Sequence, residues 1–183
     1  MSPILDSIGS VKGFGWGAFS SPYAFESIAT VTVGSGGSAS AEFTSIPSTF
    51  THLQVRFFVA DTATNHNFLL TTNSSSATRG HQLMGDGASA TSDGTYTQGI
   101  IYSQRTNTGQ FAGVVDILDY ANTNKNKTVR CLAGGDKNGA GRINLTSNFR
   151  DNTSAISSLS FAFSDSANIP QYSHFALYGI KGA

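Results

Sequence analysis

Cysteine is nearly absent from this chain, with one residue, Cys131, in 183. An internal disulfide is therefore excluded, thiolate metal clusters are excluded with it, and stability has to come from packing or from association. Charge is scarce as well. Only 12% of residues are charged, with 11 basic against 11 acidic side chains and a formal net charge of +0, so no strong field draws in phosphate and nucleic acid is not an expected partner. Long apolar runs are missing too: no stretch approaches the roughly 18 consecutive apolar residues of a membrane helix, and membrane insertion is not expected. The first residues lack the basic start, continuous apolar middle and cleavage site of a secretory signal, so none is expected. What fills the chain is Ser, Thr, Asn and Gly, a neutral polar mixture suited to packing in an assembly or to facing sugars.

From about Phe25 onward, period-two alternation dominates and helical apolar spacing is hard to find, so an all-β domain is expected. Phe25 to Val33 reads as a strand that turns back at Gly34-Ser-Gly-Gly37 to pair with Ser40 to Ile46. Thr51 to Ala60 places Leu53, Val55, Phe57 and Val59 on one face and Gln54, Arg56 and Phe58 on the other. Asn73 to Gly94 reads mostly as loop, and Thr95 to Gln104 as a strand. Gln110 to Tyr120 has the two-sided apolar character of a central strand. The Asn138-Gly139 turn predicts direct pairing of Thr128 to Ala133 with Arg142 to Phe149. Ala155 to Ser164 points Leu159, Phe161 and Phe163 inward, and His174 to Ile180 closes the domain. About nine strands are expected, as an antiparallel, jelly-roll-like β-sandwich. The organisation predicted is an N-terminal arm over 1–22 and a sandwich over 23–183.

Residues carrying recognisable chemistry are sparse. Asp116 and Asp119 lie three apart in a strand and face opposite sides, which does not make the facing carboxylate pair of a glycosidase. His52, His66, His81 and His174 fall on different elements without metal-ligand spacing, so no zinc site is expected. Asp136-Lys-Asn-Gly139 lacks the later acidic ligand of a calcium loop, and Gly34-Ser-Gly-Gly37 lacks the strand-to-helix step of a nucleophile elbow. No catalytic residue, no cofactor and no metal is expected. Sugar binding uses outward aromatic faces, and Tyr96, Tyr102 and Tyr120, with Phe58, are the candidates for facing a glycan.

The arm has its own character. Ile4, Leu5, Ile8, Val11, Phe14, Trp16 and Phe19 alternate with Gly9, Gly13, Gly15 and Gly17. Each large apolar side chain is worth on the order of 1.5–3 kcal/mol when buried, so the segment wants a covering surface. Two readings stand: an anchor docked into a partner, or an extra edge strand packed back on the sandwich.

Several segments resemble a known family. Ile4-Leu-Asp-Ser-Ile-Gly9, Lys12-Gly-Phe-Gly-Trp-Gly17 and Phe25-Glu-Ser-Ile-Ala-Thr-Val-Thr-Val33 are similar to the opening of virion structural proteins from tailed bacteriophages of aquatic bacteria, including cyanobacteria. The resemblance continues through Ile46 to Arg56, Gly85-Asp-Gly87, Asp116 to Lys125 and Tyr172 to Lys181. It implies a jelly-roll-like module on the virion surface, commonly a homotrimer, fixed to other capsid or tail proteins by its N-terminal segment and carrying no catalytic residues. Capsid decoration, cement or a head-fibre component is the role expected from it. The alternative is a tail-fibre adhesin that recognises host surface glycans during host attachment.

Overall fold

In the computed structural model of the protein, the described residues are 24–60, 67–75, 78–96, 99–103, 109–136 and 141–182, with backbone alone described at 78, 95 and 96. The proposed arm, with Ile4, Leu5, Ile8, Val11, Phe14, Trp16 and Phe19, lies outside them, as do His66 and the Asn138-Gly139 turn.

Among the described residues, twelve strands run in chain order, more than the nine or so expected: β1 (Phe25–Thr32), β2 (Ala41–Phe43), β3 (His52–Val59), β4 (Asn67–Thr72), β5 (Thr78–Gly85), β6 (Ala90–Tyr96), β7 (Ile100–Ser103), β8 (Phe111–Leu118), β9 (Lys127–Gly135), β10 (Arg142–Arg150), β11 (Leu159–Phe163) and β12 (His174–Ile180). All their pairings are antiparallel, and they form an eight-stranded sheet, β1-β12-β3-β8-β9-β10-β5-β6, and a four-stranded sheet, β2-β11-β4-β7. The protein is an all-β antiparallel sandwich. Strands β1-β12-β3-β8 and β2-β11-β4-β7 give four strands to each layer in a jelly-roll-like order. Two hairpins, β5–β6 and β9–β10, then lengthen the first layer beyond β8.

The core follows from alternation. Leu53, Val55, Phe57 and Val59 all point inward from β3, where they meet Leu159, Phe161 and Phe163 of β11 in one buried cluster. Aromatic rings fill its centre: Phe68 lies 5.4 Å from Phe111, Phe161 5.2 Å from Phe175, and Tyr102 stacks on Phe111 at 4.4 Å. Such offset and edge contacts add to simple area burial. β9 pairs directly with β10, as the sequence predicts.

Two expectations about local structure are overturned. β1 does not form a hairpin with the Ser40 to Ile46 segment; β1 pairs with β12, and β2 pairs with β11 in the other layer. The glycine run carries the chain across the sandwich instead. Gly37, at φ 75°, approaches Ile169 so closely that a Cβ would stand 2.8 Å from the Ile169 oxygen, and Ser38 bridges that same residue at 3.0 and 2.7 Å. The Asn73 to Gly94 passage is not mostly loop, because it contains β5 and β6. Their turn is built by Asp86, whose carboxylate accepts from the Ala88 and Ser89 amides at 3.0 and 2.7 Å, and by Gly87 at φ 88°.

Candidate functional site

The sequence of β10, Arg-Ile-Asn-Leu-Thr-Ser-Asn-Phe-Arg, alternates cleanly, yet it is inserted with its polar side inward. Asn144, Thr146, Asn148 and Arg150 are buried, while Ile143, Leu145 and Phe149 are exposed. The cause is the unequal width of the two layers. β7 is the edge of the narrow sheet, and an edge strand carries unpaired backbone groups that need partners. β10 supplies them from the overhanging layer. The Asn148 amide donates to the Ile100 carbonyl at 2.9 Å, and the Arg142 guanidinium donates to the Ser103 carbonyl at 3.1 Å. The Asn144 amide, oriented by its network, accepts from the Ser103 N–H at 2.7 Å and donates to the Ile143 carbonyl at 3.2 Å.

The apolar side of β10 is thereby turned to the outside. Leu145 stands directly opposite Leu83 on β5 and Leu132 on β9, and Ile143 lies two residues along the same face. These four are 50%, 52%, 56% and 63% exposed in that order. Phe149 closes the row at its far end, about 20 Å from Ile143 at the usual rise per residue. Open hollows lie along the same face. One has Gly85, Gly134, Gly135 and Ile143 in its lining; another has Leu83, Arg130 and Leu145; a third has His81, Thr128 and Phe149. A polar rung of His81, Ser147 and Arg130 separates Leu145 from Phe149, and Arg79 stands opposite Phe149. An apolar centre inside a polar rim is the anatomy of a docking face.

Further across the sheet, the outer face becomes a polar network. Asp116 accepts from the Gln54 amide at 2.8 Å, and Gln54 accepts in turn from Arg56 Nε at 3.1 Å. The Arg56 guanidinium lies 5.6 Å from the ring centres of both Phe25 and Tyr178. Asp119 is elsewhere, in the turn after β8, where it is paired with Lys125 at 2.5 Å. That ammonium lowers the carboxyl's pKa. Asp86 is held in its ionised form by the Ser89 and Ala88 amides. These carboxylates act as turn and ladder partners. His52 Nδ1 accepts from the Asp119 N–H at 3.0 Å, and His174 Nδ1 sits 3.0 Å from Thr32 Oγ1. Among the described residues, no three His, Cys, Asp or Glu side chains gather as a metal set.

Of the candidate glycan-facing residues, two point the wrong way. Tyr102 and Tyr120 are fully buried. Strand β7 is covered on both faces, because β9 and β10 overhang its outer edge, so alternation does not bring Tyr102 to the surface. At Tyr120 the preceding Asp119 takes φ 51° and turns the chain inward, where the phenol donates to the Pro47 carbonyl. The Tyr96 side chain lies outside the description. Phe58 does face outward.

Leu83, Leu132, Ile143 and Leu145 are missed by a reading of the sequence, although their alternation is plain in it. The clue was on the opposite side of β10. Asn144 and Asn148 supply the donors and acceptors that the open edge of β7 needs. No family model, no curated protein and no solved structure matches this chain.

Proposed function

We propose that this protein is a non-catalytic structural component of a tailed-phage virion, displayed on the particle surface, and that the outer face of β5, β9 and β10 is where a neighbouring subunit sits. The observation that carries this reading is the Leu83–Leu145–Leu132 row with Ile143 beside it, four large apolar side chains left at least half exposed on a rigid sheet. Each would gain about 1.5–3 kcal/mol on full burial, so the set is a liability for an isolated chain and an asset in an assembly. The neutral, Ser- and Thr-rich remainder of the surface supports close packing without charge repulsion. The segments similar to phage virion proteins run from Ile4 to Lys181 and support a capsid-decoration, cement or head-fibre role in a homotrimer anchored through residues 1–22.

The test is particle incorporation. Phage carrying Leu132→Asp and Leu145→Asp together should hold few copies of the protein per particle, while the purified variant keeps its fold by circular dichroism. Normal copy number in that variant would remove the face from the account. Deletion of residues 1–21 tests the arm separately, and unchanged incorporation would rule out anchoring there.

A further inference from the structure

We infer, building on the docking face proposed above, that its occupant is a second copy of this chain, set by a two-fold axis that crosses the strands at Leu145. Strand register lays the face out in rungs about 7 Å apart. Leu83, Leu145 and Leu132 form the middle rung. On one side of it come Gly85, Ile143 and Gly134; on the other come His81, Ser147 and Arg130, then Arg79, Phe149 and Thr128. The face is thus polarised along its strands. At one end stand two exposed arginines, Arg79 and Arg130; at the other, the exposed carboxylates Asp86 and Asp136 share a hollow with Gly85, Gly134 and Gly141. Two further carboxylates near the arginines accept bonds within the chain, Asp116 from Gln54 at 2.8 Å and Asp151 from Asn126 at 3.4 Å.

A two-fold axis along the middle rung runs the second copy's strands antiparallel and brings each end over its opposite. The three leucines then meet their own counterparts, at the roughly 10 Å separation of stacked sheets. His81, Phe149 and Arg130 come down over Gly85, Gly141 and Gly134 of the second copy, so bulk enters space, and the arginine end faces Asp86 and Asp136. Fit and charge favour the same arrangement. The other two-fold, along β10, gathers all four arginines at one end, where like charges are costly, and stacks Gly85 on Gly134 with nothing between them. Arg56, three strands from β10, also lies near the chosen axis; the roughly 30° rotation between packed sheets carries its two copies out of register. Contact over β5, β9 and β10 covers roughly 15 Å by 20 Å. That is the small end of specific interfaces, so pairing is weak in dilute solution and favoured where copies are crowded together. A homotrimer would close through another surface, and this contact would join one trimer to the next.

Ser92 on β6 stands opposite Leu83, exposed at the rim of the face and near the axis. In the purified full chain at about 0.5 mM, a bis-maleimide with a spacer of about 8 Å should join Ser92→Cys to its own counterpart across the sheet gap. The bridge should vanish when Leu132→Asp and Leu145→Asp are added. Arg130→Glu and Asp136→Arg each set like charges against each other twice per pair, so each alone should associate at least tenfold more weakly by sedimentation, while an equimolar mixture of the two regains pairing. The bridge tests the contact even if a charge variant fails to fold. Failure of the folded mixture to regain pairing, or equal bridging with and without the leucine changes, would overturn the second-copy assignment. A Leu145→Cys thiol protected on particles, with no bridge between copies, would overturn only that assignment and leave the docking face with a different occupant. An unprotected thiol with no bridge would remove the face as well.

Discussion

Lys127 and Arg150 face each other across the β9–β10 ladder, two cations inside the protein, one held by three carbonyl oxygens and the other lining a cavity. The Lys127 ammonium gathers the Asn122–Asn126 turn and the segment after β10 onto a single point, so it organises backbone that no strand pairing reaches. Burial lowers the pKa of both groups.

Lys127→Met keeps the length of the side chain and removes its three donors. The carbonyls of Asn122, Lys125 and Thr153 lose their partner, and the expected cost is about 2–4 kcal/mol, reduced from a larger value because a buried charge is removed as well. Urea unfolding of the variant measures it. Unchanged stability would mean that the turn is held by its other bonds, among them Lys125 with Asp119 and Asn126 with Asp151.

Tyr120 sets an alkaline limit. Burial raises its phenol above the ordinary value of 10.0, so the folded state keeps the proton where the unfolded state gives it up. The contribution is complete below pH 10 and is lost as pH rises through the folded value, with a slope of up to about 1.4 kcal/mol per pH unit. Tyr120→Phe should lose about 1 kcal/mol at pH 7 through the Pro47 hydrogen bond and show a flatter decline above pH 10. Denaturant titrations at pH 8 and pH 11 compare the two slopes.

Gly113 is required by packing. A Cβ there would stand 2.6 Å from Phe57 Cζ, 2.8 Å from Ala133 Cβ and 2.9 Å from the Leu132 oxygen. Gly113→Val should therefore destabilise by about 2–3 kcal/mol through overpacking at the centre of the large sheet. Its Tm, set against that of wild type, reads the effect.

Much of the jelly-roll-like part was legible in the sequence. β3, β11 and β12 declare themselves, because their inward positions are mostly Leu, Val and Phe while their outward ones are mostly polar or small, Phe58 and Tyr178 apart. β5 and β6 did not, since Thr78 to Tyr96 interleaves glycine, serine and threonine and buries Gln82 where an apolar residue would have marked a strand. β10 shows why the candidate site was missed. Alternation reveals two faces but not which one meets the core, and here the inward face is decided by the open edge of β7, a partner nearly forty residues earlier. Tyr102 failed for a related reason, since a strand covered on both sides has no outward face. At Gly37 a glycine run permits either a hairpin or a crossing, and only contact with Ile169 selects the crossing.

Cys131 makes the docking face measurable. It is the chain's one cysteine, it is buried, and burial pushes its thiol far above the usual range, so the folded wild-type protein should not react with maleimide at pH 7.5. Unfolding should expose one reactive thiol per chain.

The most direct test of the central claim follows from that silent background. With Leu145→Cys introduced into the protein both free in solution and assembled on particles, maleimide labelling reports whether the Leu83–Leu145–Leu132 row is covered. The account predicts labelling within minutes in the dilute free chain and protection of at least tenfold on the particle, as burial under a neighbouring subunit requires. Equal labelling rates in the two states would contradict it.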